Sequence, residues 1–220
     1  MENHSTSSLY LDLGTKNYQG ALTIQREIHE LRCRDKIPDT FIFIEHEPVY
    51  TIGRSSKPEN FPGLNPILVE RGGDVTYHGP GQLVVYPIVR VFNLGESPDL
   101  RKFVIWVEDI ISDALKELGF QLHGGSEPGI WASNSASGDK KIASVGMKVK
   151  DGVSFHGVSI NYGGDVLDGF MKIRPCGLDP SEMGYLGVEK DRLKDSIQNK
   201  LKEKYGKIVE VDIEYFKGKI

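Results

Sequence analysis

A cysteine, a lysine and a glycine-rich loop are the parts of this sequence best equipped for chemistry. Cys176 lies in Lys172-Ile173-Arg174-Pro175-Cys176-Gly177-Leu178, between a proline that fixes φ and a glycine that frees the next turn. The thiol is thus presented on a bend, with Lys172 and Arg174 near it in sequence. Positive neighbours favour the thiolate, the form of cysteine that attacks acyl carbons. A buried structural cysteine fits the same residues. Lys141 opens the apolar stretch Lys141-Ile142-Ala143-Ser144-Val145-Gly146. In solvent it is the start of a strand; buried opposite Cys176 it becomes an ammonium partner for a thiolate, or a base. Spacing alone does not bring the two together. The other thiol, Cys33, falls near Arg32, Arg34 and Lys36 with no turn to shape a site, and is read as packing or surface.

Arg71-Gly72-Gly73-Asp74-Val75-Thr76-Tyr77-His78-Gly79-Pro80-Gly81-Gln82 has four glycines in the eleven positions from Arg71 to Gly81. Such a loop lets backbone N–H groups approach a ligand closely, with Arg71, Thr76, Tyr77 and His78 as donors and walls. A tight turn without any ligand is the competing reading. No Gly-Lys-Ser/Thr follows, so it is not a phosphate-binding Walker loop, and the glycine spacing is wrong for a dinucleotide fingerprint. His156 lies in Ser154-Phe155-His156-Gly157-Val158-Ser159, where a lone strand histidine is more often a satisfied core or rim residue than a catalyst. No closely spaced His pair resembles a zinc site, so no metal is expected, and no Gly-x-Ser-x-Gly marks a serine hydrolase.

These residues need a scaffold, and the hydrophobic pattern supplies one. Three helices are predicted. The first runs from about Tyr18 to Arg34, with Ala21, Ile24, Ile28 and Leu31 on one face. The second has Ser97 as a cap, Pro98 in its first turn and Gly119 at its end, with a broad stripe from Leu100 to Leu118 that must pack on a sheet. The third runs from about Asp191 to Tyr205. Strands are predicted at Phe41 to Ile44, Gln82 to Val91, Lys141 to Lys150, Val153 to Asn161 and Ile208 to Phe216. Pro87 argues for an edge or a bulge, and Asp151-Gly152 for a hairpin turn. The expected fold is α+β, a mixed, largely antiparallel sheet flanked by helices, as a single domain over residues 1–220.

With 27 Lys+Arg against 31 Asp+Glu the net charge is −4, which disfavours partners held by phosphate neutralisation, so no nucleic acid is expected. No apolar run of about 18 residues is present to span a membrane. The start, Met1 to Ser8, lacks a basic region and apolar stretch, and two cysteines cannot form a disulfide framework. A reducing cytoplasm is the expected location.

Taken together these segments resemble the octanoyltransferases, or lipoyl(octanoyl) transferases, of lipoate biosynthesis, within the biotin and lipoate protein ligase superfamily. Glu45-His46-Glu47-Pro48-Val49-Tyr50-Thr51-Ile52-Gly53-Arg54 looks like the first block of that family, and Arg71 through Pro87 matches its signature almost without deviation. Lys141 to Gly146, Phe155-His156-Gly157 and Pro175-Cys176-Gly177 follow in family order. Leu178 to Val188 departs from the family pattern, and the first ten residues and the tail beyond about Tyr205 lie outside the match.

The resemblance implies the catalytic-domain fold of that superfamily and no cofactor. It implies transfer of an octanoyl or lipoyl group from acyl carrier protein to a lysine of a lipoyl domain, in 2-oxoacid dehydrogenases or glycine cleavage H protein. This is the first step of endogenous lipoate synthesis. It assigns Cys176 as the acylated nucleophile and Lys141 as the residue that tunes it and assists the incoming amine. It assigns acyl binding to Arg71, Gly72, Gly73, Asp74, Val75, Thr76, Tyr77 and His78, to Ser144, Val145 and Gly146, and to Gly157, Val158 and Ser159. Val75, Tyr77, Val145 and Val158 are candidates for the apolar wall. Lys140, Lys141, Lys148, Lys150, Lys172 and Arg174 could form a basic patch for an acidic carrier. Two rivals stand beside this reading. One is an ATP-dependent ligase of the superfamily, which needs no cysteine and carries a different continuation after His78. The other is a catalytically silent module that only docks carriers.

Overall fold

Alternating side chains along the central strands decide how this chain is layered. In the computed structural model, which describes residues 7–91, 100–125 and 128–219, the chain begins with strand β1 (Ser8–Lys16), helix α1 (Tyr18–Cys33), β2 (Thr40–His46), β3 (Val49–Ile52), β4 (Ile67–Leu68), β5 (Val75–His78) and β6 (Gln82–Ile88). Then come α2 (Leu100–Glu117), β7 (Leu122–His123), β8 (Ile130–Ser135), β9 (Gly138–Lys150), β10 (Val153–Asn161), α3 (Val166–Phe170), α4 (Lys190–Tyr205), β11 (Ile208–Val211) and α5 (Glu214–Lys217). Eight strands form one sheet in the order β11-β1-β2-β6-β10-β9-β8-β7, parallel only where β1 meets β11 and β2. A three-stranded sheet, β4-β3-β5, lies beside it. The mixed, largely antiparallel sheet between helices is therefore the observed architecture.

In β2, Phe41 and Phe43 join one core cluster while Ile42 and Ile44 join another; in β6, Leu83 and Val85 divide the same way from Val84, Tyr86 and Ile88. Period-two alternation buries both faces of the sheet. One face meets α2 through Ala114 and through Phe103, Val107, Ile110, Ile111 and Leu115, these last five each worth about 1.5–3 kcal/mol over exposure. Helix α4 lies against α2 and adds Leu193, Ile197 and Leu201, with the Ser196 hydroxyl donating to the Ala114 carbonyl at 2.9 Å. The opposite face meets α1 through Ala21, Leu22, Ile28 and Leu31. Asn17 caps α1, accepting from the Gly20 N–H at 2.8 Å. Gly119 ends α2 at φ +94°, as predicted, while Ser97 and Pro98 lie outside the described residues. Asp151 and Gly152 both take left-handed backbone (φ 53° and 74°), the geometry of a tight hairpin turn.

Two expectations change, and one strand was not expected. The predicted strand Ile208 to Phe216 stops at Val211, where its pairing with β1 ends, and the chain turns into α5, which buries Phe216 in the α1-side core. Pro87 is on neither an edge nor a bulge: β6 is interior and Pro87 pairs in register with Phe41 of β2. Its carbonyl accepts from Ser154 Oγ at 2.6 Å, so its missing N–H also faces β10, opposite a stretch where the β10 ladder is interrupted. The paired strand β1 carried no sequence expectation. Its first four residues are all buried, so it shows no polar-out rhythm.

Candidate active site

On its α1 side the sheet bears a patch with almost no side chains. Ser144 of β9 faces Ser159 of β10, and Gly146 faces Gly157. By strand alternation these four share one face. Where other strands fill that face with Ile, Val or Tyr, this patch leaves room for a cavity. Tyr18 of α1, Val84 and Tyr86 of β6, and the segment from Arg71 to Thr76 wall it, with His78, Lys141, His156, Pro175 and Cys176 completing the lining. Gly157 is dictated by contact: a Cβ there would sit 1.9 Å from the Val85 carbonyl oxygen. Its neighbour His156 adopts φ +63°, and its N–H leaves the ladder to donate to Gln25 Oε1 of α1 at 2.8 Å. A non-glycine residue held in that region is the kind of strain that concentrates at working sites.

The structure brings Cys176 and Lys141 to this one cavity. Cys176 sits on a 3₁₀ turn, Pro175–Gly177, with left-handed φ 55° and ψ 27°, and its side chain is exposed. Asp74 fixes where that turn lies. Its carboxylate accepts from the N–H groups of Lys57 (3.1 Å) and Val75 (2.7 Å) and from Asn60 Nδ2, while the Asn60 carbonyl accepts from the Arg174 N–H at 2.8 Å. Asp74 is therefore a buried brace between the glycine-rich loop and the cysteine turn. Lys141 is only 3% exposed, unlike an ordinary surface lysine. Gly129, at φ +129°, makes room for it: a Cβ there would lie 2.7 Å from Lys141 Cε.

A polar framework lies under the cavity. The Arg71 guanidinium is 8% exposed, with Nη1 donating to the Gly72 carbonyl (2.9 Å) and Nη2 to the Thr51 carbonyl (2.8 Å) and Oγ1 (3.0 Å). Burial pulls its pKa below the usual arginine value, while Tyr18 and then Cys176 oppose that shift. Arginine nevertheless stays charged. His46 Nδ1 lies 3.3 Å from the Lys16 carbonyl, which can only accept, so Nδ1 carries the proton and Nε2 accepts from the Tyr86 hydroxyl at 2.7 Å. The Gly184 carbonyl accepts from Asn161 Nδ2, Asn161 Oδ1 from Gln82 Nε2, and Gln82 Oε1 from His78 Nδ1 at 2.6 Å. That chain, anchored on a backbone carbonyl, fixes the His78 tautomer too. Burial holds all three imidazoles neutral, lowering His46 to about 4 and His78 and His156 to about 3. Three residues of the cavity lining carry a buried polar atom with no hydrogen-bond partner among the described residues: Arg71 (Nε), Thr76 (Oγ1) and His156 (Nε2).

Most of the residues expected at the site line this cavity, and one does not. The Tyr77 ring turns into a separate apolar cluster with Val166 and Phe170, packed 5.9 Å from the Phe170 ring and over Gly169. Val145 and Val158 do line the cavity, but their side chains belong to the α2-side core, so they offer it backbone. The apolar wall comes instead from Val84 with the rings of Tyr18 and Tyr86, while Val75, also expected there, packs its side chain into the same separate cluster as Tyr77. Tyr18, Val84 and Tyr86 were missed because strand and helix periodicity files them as core. His156, read as a satisfied core or rim residue, is buried but carries an unpartnered ring nitrogen. The expected basic patch loses Lys141 to burial and Lys148 to an ion pair with Glu70 at 2.8 Å. Cys33 stays outside: half-buried, 3.6 Å from His29 Nδ1, with burial raising its pKa.

Residues 17–202 match the family model of the lipoyl protein ligase A/B catalytic domain. Among curated proteins, the chain is 38% identical over 182 residues to an octanoyltransferase of Acidothermus cellulolyticus, covering 81% of this chain and 80% of that one. It is 36% identical over 185 residues to an octanoyltransferase of Corynebacterium glutamicum, covering 82% and 72%. Among solved structures it superposes on a lipoate-protein ligase A bound with ATP, with a TM-score of 0.76 and 16% identity, over 96% of this chain and 92% of the other. That last likeness concerns the fold.

Proposed function

Because the chain belongs to the lipoyl protein ligase A/B catalytic-domain family, we propose that it is an octanoyltransferase that moves an octanoyl group from acyl carrier protein, through a thioester on Cys176, to a lysine of a lipoyl domain. The observation that supports this most is the meeting of an exposed Cys176, on a left-handed turn, with a buried Lys141 over a single cavity. A thiolate suits a thioester donor. Attack of Sγ on the donor carbonyl expels the carrier thiolate and leaves octanoyl-Cys176. The acceptor amine then attacks the same carbonyl carbon, the C–S bond breaks, and an amide forms. Splitting the transfer lets two large carriers dock in turn. Lys141 as an ammonium stabilises the Cys176 thiolate in the first step and gives its proton to the departing carrier thiolate; the neutral amine that remains takes the proton from the attacking lysine in the second, which restores the ammonium beside the released Cys176 thiolate.

The acyl chain would lie against Val84, Tyr18 and Tyr86. Lipoyl domains of 2-oxoacid dehydrogenases and glycine cleavage H protein are the acceptors of this reading, in the first step of lipoate synthesis. For an acidic donor carrier, Lys172 and Arg174 beside Cys176, with Lys140, are the cations offered. The ligase alternative shares the fold, since a structural neighbour holds ATP. Nucleotide separates the two. Octanoyl-carrier protein and a lipoyl domain incubated with this chain should yield octanoylated domain without ATP. A strict requirement for ATP would establish the ligase instead.

A further inference from the structure

Six buried side-chain polar atoms lack a hydrogen-bond partner among the described residues, and three of them line the active-site cavity. An unsatisfied buried donor is costly, on the order of 1–3 kcal/mol, so three in one cavity call for a ligand. Two of the three residues meet at Thr51. Thr76 of β5 pairs directly with Thr51 of β3, which puts their side chains on one face of the small sheet, about 4.5–5.5 Å apart. The Arg71 fork rests on Thr51, bonding both its carbonyl and its hydroxyl, while Nη1 is held by the Gly72 carbonyl. The guanidinium is thereby pinned at both Nη groups, and its Nε–H is left without a partner among the described residues. Cys176 faces the same cavity and is near enough to bear on the Arg71 charge.

An octanoyl thioester brings one polar atom into this space, its carbonyl oxygen. We propose that the Arg71 Nε–H and the Thr76 hydroxyl are the paired donors that receive that oxygen as negative charge develops on it. This rests on the acyl-Cys176 reading and adds to it the groups that stabilise the tetrahedral intermediate. In the second step the acceptor nitrogen bonds to the carbonyl carbon and the C=O electron pair moves onto oxygen, between Nε–H and Oγ–H. Return of that pair expels Cys176 as thiolate and closes the amide. The proton from the attacking amine passes to neutral Lys141. The Arg71 guanidinium is fixed beforehand by its bonds to Thr51 and Gly72 and Thr76 sits on a paired strand, so neither donor has to ionise as the charge develops.

The test uses the whole chain, octanoyl-carrier protein labelled with ¹³C at the carbonyl, and a lipoyl domain. Thr76→Val keeps the shape and removes the hydroxyl; Thr76→Ser restores it; Arg71→Lys keeps the charge and removes Nε–H. The octanoyl-enzyme formed by each variant is examined by isotope-edited infrared spectroscopy, and its decay on adding acceptor is followed by rapid quench. We expect the thioester carbonyl band of Thr76→Val and Arg71→Lys to move to higher frequency than wild type. Acyl transfer at saturating acceptor should fall about 10²–10³-fold in Thr76→Val, with the acceptor KM little changed and Thr76→Ser close to wild type. If Arg71→Lys does not fold, Thr76→Val and its serine rescue decide alone. An unmoved band and a transfer rate within threefold of wild type in Thr76→Val would overturn the proposal and leave the covalent reading intact. Failure of the wild-type chain to form any octanoyl adduct on Cys176 would overturn both.

Discussion

At the scale of residues, the site is an arrangement of opposites: a thiol in solvent on a left-handed turn, and a lysine almost wholly removed from solvent. Covalent transfer needs both, because the nucleophile must meet a bulky donor while the base works away from bulk water. Lys141→Ala is therefore expected to slow octanoyl transfer by about 10²–10⁴-fold, the usual contribution of a positioned base. Its Cys176 should still be alkylated by iodoacetamide, and its thermal midpoint should stay within a few degrees of wild type. Transfer at the wild-type rate would remove Lys141 from the mechanism. Asp74 lines the cavity and also has a structural part that its place in the glycine-rich loop did not imply. Its three accepted hydrogen bonds brace the chain that carries Cys176.

At the scale of elements, the cavity exists because β9 and β10 put serine and glycine where their neighbours put branched and aromatic side chains. A β-carbon at Gly157 would press on the Val85 carbonyl, so β10 would have to part from β6. Gly157→Ala should cost about 1–3 kcal/mol in urea unfolding, as overpacking does in a tight core. Ser159→Ala on the same face, adding no atom, should cost less than the glycine change. Equal losses for the two would show that the strand contact is not what demands glycine. The sequence made these strands and the Asp151-Gly152 hairpin legible, because period two and turn chemistry are local properties. It did not show that Tyr77 turns away from the cavity and Tyr86 toward it. Both are aromatic residues in apolar strands, and only the pairing of β5 with β3 and of β6 with β2 decides which way each ring points. Strand β1 and the turn into α5 stayed hidden for a related reason, since their apolar residues are placed by long-range partners rather than by a local rhythm.

At the scale of the whole molecule, three neutral imidazoles buried around one cavity make folding sensitive to acid. His46, His78 and His156 are depressed from 6.5 to about 4, 3 and 3 by burial. Between those values and 6.5 the unfolded chain binds protons that the folded chain does not. Stability is therefore full above pH 6.5 and lost as pH falls through 6 toward 4, each imidazole contributing on the order of 1 kcal/mol per pH unit. The thermal midpoint should drop steadily between pH 6.5 and 4.5, and a flat profile there would contradict neutral burial of these side chains. The family was legible because its motifs stand in order along the chain. The joining of Cys176 to Lys141 was not, since 35 residues and the crossing from β9 to the turn after α3 separate them. The most direct test of the account is intact-protein mass spectrometry of the chain after octanoyl-carrier protein is added, followed by a lipoyl domain. The account predicts one octanoyl group on Cys176, absent in Cys176→Ala, that disappears onto the domain lysine at least as fast as steady-state turnover. An adduct on another residue, an adduct that fails to transfer, or full turnover by Cys176→Ala would contradict it.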